Sequence, residues 1–236
     1  MLDSIQQSAD IGVSKAEQTR QHILSQALFL ATSKSLNDVT IGALAKKCNL
    51  SKSGLYAHFG SKENLQVAIV DYASEVFRLR VVKDVSQALA PIDRITALVY
   101  RWLNWYEGHA KQCLFLSATI EFNDRPGPVK DALHRQIERW VGYLENIADL
   151  AIADKSFRSD SDSKQFVFEV YSLFLGSQKY LWLNKESSDE IVRNGTSNFS
   201  ICFTVQLLKL IPWASEQVII KINLFGLMKV LIQACT

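Results

Sequence analysis

The stretch NLSKSGLYAHFGSKENL, Asn49 to Leu65, gathers two lysines, three serines, a tyrosine and a histidine around a small apolar frame of Leu50, Leu55, Tyr56 and Phe59. The frame falls at helical spacing, not strand alternation. Ser51, Ser53, Tyr56 and Lys62 offer hydrogen bonds or positive charge to phosphate oxygens, and Lys52 is long enough to reach a guanine edge. Gly54 removes a side chain where a helix must come close to a partner. In a helix interior that glycine costs about 1 kcal/mol relative to alanine, so it calls for a reason.

The elements that position these groups are legible in TIGALAKKCNLSKSGLYAHF, Thr40 to Phe59. Thr40 caps a first helix whose Ile41, Leu44, Ala45 and Cys48 form one apolar stripe, with Ala45 small enough for a second helix to cross closely. Asn49 occupies the turn where a left-handed residue is needed, and asparagine is among the few non-glycine residues that accept it. Leu50 plugs the turn and Ser51 caps the second helix. That helix buries Leu55 and Phe59 and leaves Lys52, Ser53, Gly54, Tyr56 and His58 facing outward or sideways. The pattern is a helix-turn-helix, whose second helix enters the major groove of double-stranded DNA. A helical hairpin with a solvated polar face is the plainer alternative at this spacing.

Around this head the chain reads as all-α. Only 4 prolines occur, and helical periodicity predicts ten helices near 16–34, 41–48, 52–59, 62–86, 91–109, 111–122, 128–154, 161–184, 187–210 and 213–234. The first three are short and tightly joined, and those from residue 62 onward are long. This gives an N-terminal arm over 1–15, a three-helix DNA-binding head over 16–61, and a larger helical ligand-binding and dimerisation body over 62–236. All five tryptophans, Trp102, Trp105, Trp140, Trp182 and Trp213, lie in the body and none in the head.

At Arg20, at ILSQAL, and through VTIGALAKKCNLSKSGLYAHFGSKENL the sequence resembles the TetR family of transcriptional regulators, most densely at LSKSGLYAHFGSK. The segment CLFLSATIEFNDRPGPVKDAL, Cys113 to Leu133, is similar to one subgroup with the same recognition helix. The resemblance implies a homodimer that binds a palindromic operator and, in most members, a repressor released by a small-molecule effector. It carries Thr40, Ser51, Lys52, Ser53, Gly54, Tyr56, His58 and Lys62 over as the DNA-contacting set, with Tyr56 and Lys62 at the phosphate clamps. Ser35 stands where the family usually ends helix 1 with glycine, and Ala31 where phenylalanine is usual. Phe29, two residues earlier, is positioned to refill that space.

Composition narrows the setting. The formal net charge is only +2, yet residues 1 to 65 hold seven Lys/Arg against five Asp/Glu while the remainder is balanced, so the excess sits in the head. The four cysteines, Cys48, Cys113, Cys202 and Cys235, are far apart with no CxxC pairing, which points to a reducing cytoplasm and away from zinc or a disulfide framework. The start of the chain has no apolar run of the secretory kind. VIIKINLFGLMKVLI, 218 to 232, is interrupted by Lys221 and Lys229 and is shorter than the roughly 20 apolar residues of a spanning helix, so it reads as a core or interface helix.

In the body, Trp102, Trp105, Tyr106, Phe115, Trp140, Phe168 and Tyr171 are candidates to line a ligand space between helices, with Glu121 in the apolar LSATIEF run to orient a polar or cationic ligand. Aromatics at helical spacing are more often simple core, and Glu121 is equally a helix-end residue in water. The SLFLGSQKYLWL segment is apolar around much of its circumference and suits a bundle between two copies of the chain. Activation of transcription in place of repression is the nearest alternative. A small helical enzyme is the distant one, using His109 and Cys113, one helical turn apart, or Glu138 and Glu145. No glycine-rich phosphate loop, metal signature or nucleophile elbow accompanies them, and no cofactor is expected.

Overall fold

The computed structural model describes residues 14–105, 113–183, 202–204, 207 and 210. Among these the chain forms eight α-helices and no strand: α1 Lys15–Ser33, α2 Ile41–Lys47, α3 Lys52–Phe59, α4 Lys62–Phe77, α5 Pro91–Asn104, α6 Leu114–Glu121, α7 Pro128–Ala153 and α8 Ser163–Leu183. A π-helical turn, Arg78–Val82, follows α4. Of the helix expected over 187–210, residues 202–204, 207 and 210 are described and helical; the helix expected over 213–234 lies outside the described residues. None of the described helices is long and apolar enough to cross a membrane.

The chain divides into two compact units. The first comprises Met1–Arg78 and Tyr106–Ile137, the second Leu79–Trp105 and Glu138–Thr236. In the first, each early helix begins on a hydroxyl that accepts a backbone N–H in its first turn: Ser14 from Glu17, Thr40 from Ala43, Ser51 from Gly54 and Ser61 from Asn64. Each cap supplies one of the acceptors a helix start lacks, about 1 kcal/mol apiece. The stripes behind those caps meet in one core. Ile23, Leu24 and Ala27 of α1, Leu44 of α2, Leu55 and Phe59 of α3, and Leu65, Ile69 and Ala73 of α4 are all buried in it. Leu114, Ala118 and Phe122 from α6 and its end, with Val129, Ala132 and Leu133 from the start of α7, join the same cluster. Burying a leucine or phenylalanine fully stabilises by about 1.5–3 kcal/mol, so this shared core fixes α6 against the head.

The second unit is built on α5, the remainder of α7 and α8. Ile95, Leu98, Val99 and Trp102 supply its α5 face, Leu144, Ile147, Ala148 and Ala151 its α7 face, and Phe166, Val167, Val170 and Phe174 its α8 face. Phe203 is fully buried and meets Tyr100 edge-on at 6.1 Å.

The sequence predicts α4 to run on to residue 86, but it gives way to the π-helical turn after Phe77. The local pattern, Val81 and Val85 buried one turn apart, carries no stop signal. Arg101, on α5, donates from Nε to the Arg80 carbonyl at 3.1 Å and from Nη2 to the Asp84 carboxylate at 3.1 Å. A side chain distant in sequence satisfies an acceptor that a regular helix would have used itself.

Candidate nucleic-acid interface

The helix-turn-helix is α2, its turn and α3. Asn49 sits in the left-handed region at φ 56. The Leu50 N–H reaches the Ala45 carbonyl at 2.9 Å and the Asn49 N–H the Lys46 carbonyl at 3.4 Å. Those two bonds form a Schellman closure, so the turn satisfies the last carbonyls of α2 while redirecting the chain. Four residues, Cys48 to Ser51, then separate α2 from α3, the last of them the α3 cap.

On α3 the buried and exposed faces separate as expected. Leu55 and Phe59 are buried, whereas Ser51, Lys52, Ser53 and Tyr56 are exposed. Tyr56 is 52% exposed, which sets an aromatic ring and its hydroxyl in solvent on a helix fixed at both ends. The Ser51 hydroxyl lies 3.1 Å from that of Ser53 while accepting the Gly54 N–H at 3.0 Å. A Cβ at Gly54 would lie 3.2 Å from the Ser51 Oγ, so the glycine has a local reason besides close approach to a partner: it leaves room for the cap. The Lys52 stem lies beside Gly42, where a Cβ would meet its Cε at 3.4 Å, so the stem is supported by α2. Thr40 and Lys62 are exposed at the N-termini of α2 and α4, and His58 is half-buried. Glycine at 60, φ 72, ends α3 with its N–H on the Tyr56 carbonyl at 2.7 Å.

Two supports of this surface carry no local sequence signal. Arg20 of α1 donates from Nη1 to the His58 carbonyl at 2.8 Å and holds its guanidinium 4.6 Å above the Phe59 ring, tying the end of α3 to α1. Gln66, buried, donates to the Leu36 carbonyl at 3.1 Å and pins the connection between α1 and α2. The expectation that Phe29 refills the space beside Ala31 is corrected: Ala31 is buried, but Phe29 is 47% exposed with the Lys47 ammonium 4.5 Å over its ring. Two residues along an α-helix turn the side-chain direction by about 200°, which takes position 29 away from the face of position 31.

Of the candidate ligand residues, the second unit brings together Trp102, Trp140 and Tyr171. The Trp102 ring stacks on Phe174 at 4.1 Å and meets Trp140 and Tyr171 at 5.4 Å each. Phe174, 6.5 Å from Tyr171, and Tyr143, 6.1 Å from Trp140, extend the cluster. Trp105 is half-buried in the same unit. Phe168 is 66% exposed and does not join them. Phe115 packs against the core of the first unit. There, the Glu121 carboxylate accepts the Asn37 N–H at 2.9 Å, so it ties α6 to the α1–α2 connection. Tyr106 and His109 lie outside the described residues. Cys113 is buried, and its Sγ caps α6 by accepting the Leu116 N–H at 3.4 Å.

Comparison with known proteins agrees with this layout. Residues 23–69 match the profile of the bacterial regulatory proteins of the tetR family. Residues 91–191 match that of the tetracyclin repressor-like C-terminal domain. The HTH-type transcriptional repressor KstR2 of Mycolicibacterium smegmatis (strain ATCC 700084 / mc(2)155) is 25% identical over 153 residues, 63% of this chain and 72% of that protein. A TetR transcriptional regulator from Chloroflexus aurantiacus J-10-FL superposes with a TM-score of 0.70 at 22% identity, over 80% of this chain and 96% of that one. AibR, solved in complex with isovaleryl coenzyme A and operator DNA, superposes at 0.60 and 21% identity over 76% of this chain and 97% of its own. With a head profile over the helix-turn-helix and a body profile over α5 to α8, together more than half of the sequence, the chain belongs to the TetR family of DNA-binding transcriptional regulators.

Proposed function

We propose that this chain is a ligand-responsive repressor, cytoplasmic, which binds a palindromic operator as a homodimer through α3. The observation that carries the reading is the outward donor set of α3, held on a helix capped at both ends and tied to α1 by Arg20. In this reading residues 16–61 are the DNA-binding segment and 62–236 the ligand-binding and dimerisation segment. Thr40, Ser51, Ser53, Tyr56 and Lys62 engage phosphates, Lys52 reads a base edge, His58 adds a contact near the other end of α3, and Gly54 permits close approach. Two copies place two recognition helices about one helical turn or slightly more apart on DNA. The exposed Phe168 on α8 and Leu150 on α7 support an apolar contact between copies.

An effector acts by preferring a body conformation in which the two heads are wrongly spaced for the half-sites. The shared core of α6 with the head, and the Glu121 bond to Asn37, support such coupling, because α6 cannot shift without disturbing the α1–α2 connection. The relatives named as a repressor, and as a complex holding both a coenzyme A ester and operator DNA, agree in kind.

The test starts with selection of bound DNA from a random pool, followed by binding to the selected site across a salt series. A palindromic consensus is expected. Tyr56→Ala and Lys62→Ala then weaken binding to all sequences alike, and Lys62→Ala lowers the salt slope by about one. Lys52→Ala changes the preferred bases. Full retention of binding by all three variants would sink the assignment.

A further inference from the structure

We infer that Arg94 makes the second unit selective for an effector that carries a carboxylate on an apolar body; this rests on reading that unit as the effector-binding part of the chain. Arg94 lies near the start of α5 and is only 8% exposed. Its Nη2 donates to the Tyr143 hydroxyl at 3.3 Å, and its guanidinium carbon lies 6.0 Å from the centre of the Tyr143 ring. Its Nε is sealed from solvent with no acceptor. Among the described residues no carboxylate answers it.

The contrast with other arginines is sharp. Arg78 pairs with Glu75 at 2.7 Å, Arg101 with Asp84 at 3.1 Å and Arg158 with Asp160 at 2.7 Å, all more exposed than Arg94. Among the described residues, then, three more exposed guanidinium groups meet carboxylates, where pairing is worth least, while the buried Arg94, whose desolvation costs most, meets none. A guanidinium cannot shed its proton to escape that cost. A neutral phenol recovers only part of it, because it brings no opposite charge to set against the buried cation. An incoming carboxylate completes the set: it accepts from Nε and Nη2 in the two-pronged geometry a planar guanidinium presents.

The neighbours define the remainder of the ligand. Tyr143 leads to Trp140 at 6.1 Å, and Trp140 to Trp102 at 5.4 Å, so an aromatic row extends from the cation. Gln87 donates to the same Tyr143 hydroxyl at 3.5 Å and helps hold it toward Arg94. A charged head at Arg94 and an apolar tail along the tryptophans match this order of groups.

The test uses the full chain and two matched probe series, n-alkanoates from butyrate to dodecanoate and the n-alkanols of the same lengths, titrated by isothermal calorimetry. Wild type is expected to bind its best alkanoate about tenfold or more tighter than the matched alkanol. Arg94→Met removes that preference and leaves alkanol affinity within about twofold. Arg94→Lys keeps part of it, and Tyr143→Phe alters it without changing alkanol binding; these two carry the test if Arg94→Met does not fold. Equal affinity for acid and alcohol in wild type, no binding of any alkanoate, or a preference that survives Arg94→Met overturns the inference. Operator affinity measured alongside separates the two readings. An alkanoate that binds through Arg94 yet leaves the operator bound upholds the site and removes the ligand response. Operator release by uncharged probes alone, equal in wild type and Arg94→Met, upholds the response and removes the carboxylate.

Discussion

Arg20 shows how much a single side chain contributes to the recognition surface without standing on it. Its bond to the His58 carbonyl meets one of the acceptors left open at the end of α3, and its cation rests on Phe59, the residue that anchors that helix. A hydrogen bond to a charged group is worth about 1.5–3 kcal/mol. Arg20→Gln is therefore expected to lower the urea unfolding free energy by about that amount, with Arg20→Lys in between. Nothing in the local sequence announces this role, because the partners are 38 positions apart and the bond ends on backbone. The faces of Leu55, Phe59 and Tyr56 are legible from spacing alone, since each follows from one helix's own period. Cys48 marks another residue-scale consequence. Burial pushes its thiol up, and Lys47 only partly offsets this, so the thiolate is scarce at neutral pH. Mass spectrometry after limited alkylation is expected to find Cys48 modified more slowly than the exposed Cys202.

Elements depend on their ends, and here most ends are written in the sequence. Hydroxyl caps at Thr40, Ser51 and Ser61 and the left-handed Asn49 are short-range features, each decided within five residues. Asn49→Val forces a β-branched side chain into that conformation at a cost of about 1–2 kcal/mol, while Asn49→Gly is expected to be neutral or slightly stabilising. Thermal unfolding of the two variants checks the pair. The end of α4 was not legible for the opposite reason: Arg101 decides it from another helix. Gly142 offers a third case. It sits inside α7 where a Cβ would meet nothing within 4 Å beyond its own stretch of helix backbone, so Gly142→Ala is expected to stabilise by about 1 kcal/mol, read as a higher midpoint in denaturant.

For the whole molecule, the all-α class and the order of its first eight helices follow from periodicity and proline placement. Their grouping does not. Periodicity shows that α6 has an apolar face, but not that this face joins the core of α1 to α4. Glu121 marks the same limit, because its bond to the Asn37 backbone N–H, 84 positions away, has no local signal. Glu121→Ala leaves that donor unmet and is expected to cost about 1–2 kcal/mol of stability, measured by thermal unfolding, while leaving α3 and its contacts in place. The placement of the tryptophans has a further use. Neither Met1–Arg78 nor Tyr106–Ile137 contains one, so every indole belongs to the other unit, and those of Trp102 and Trp140 sit in its aromatic cluster. Intrinsic emission excited at the red edge of the indole band is thus a native optical channel for the second unit, and a spectral change on adding DNA is one sensed by that unit's indoles and not by the recognition helix, which carries none.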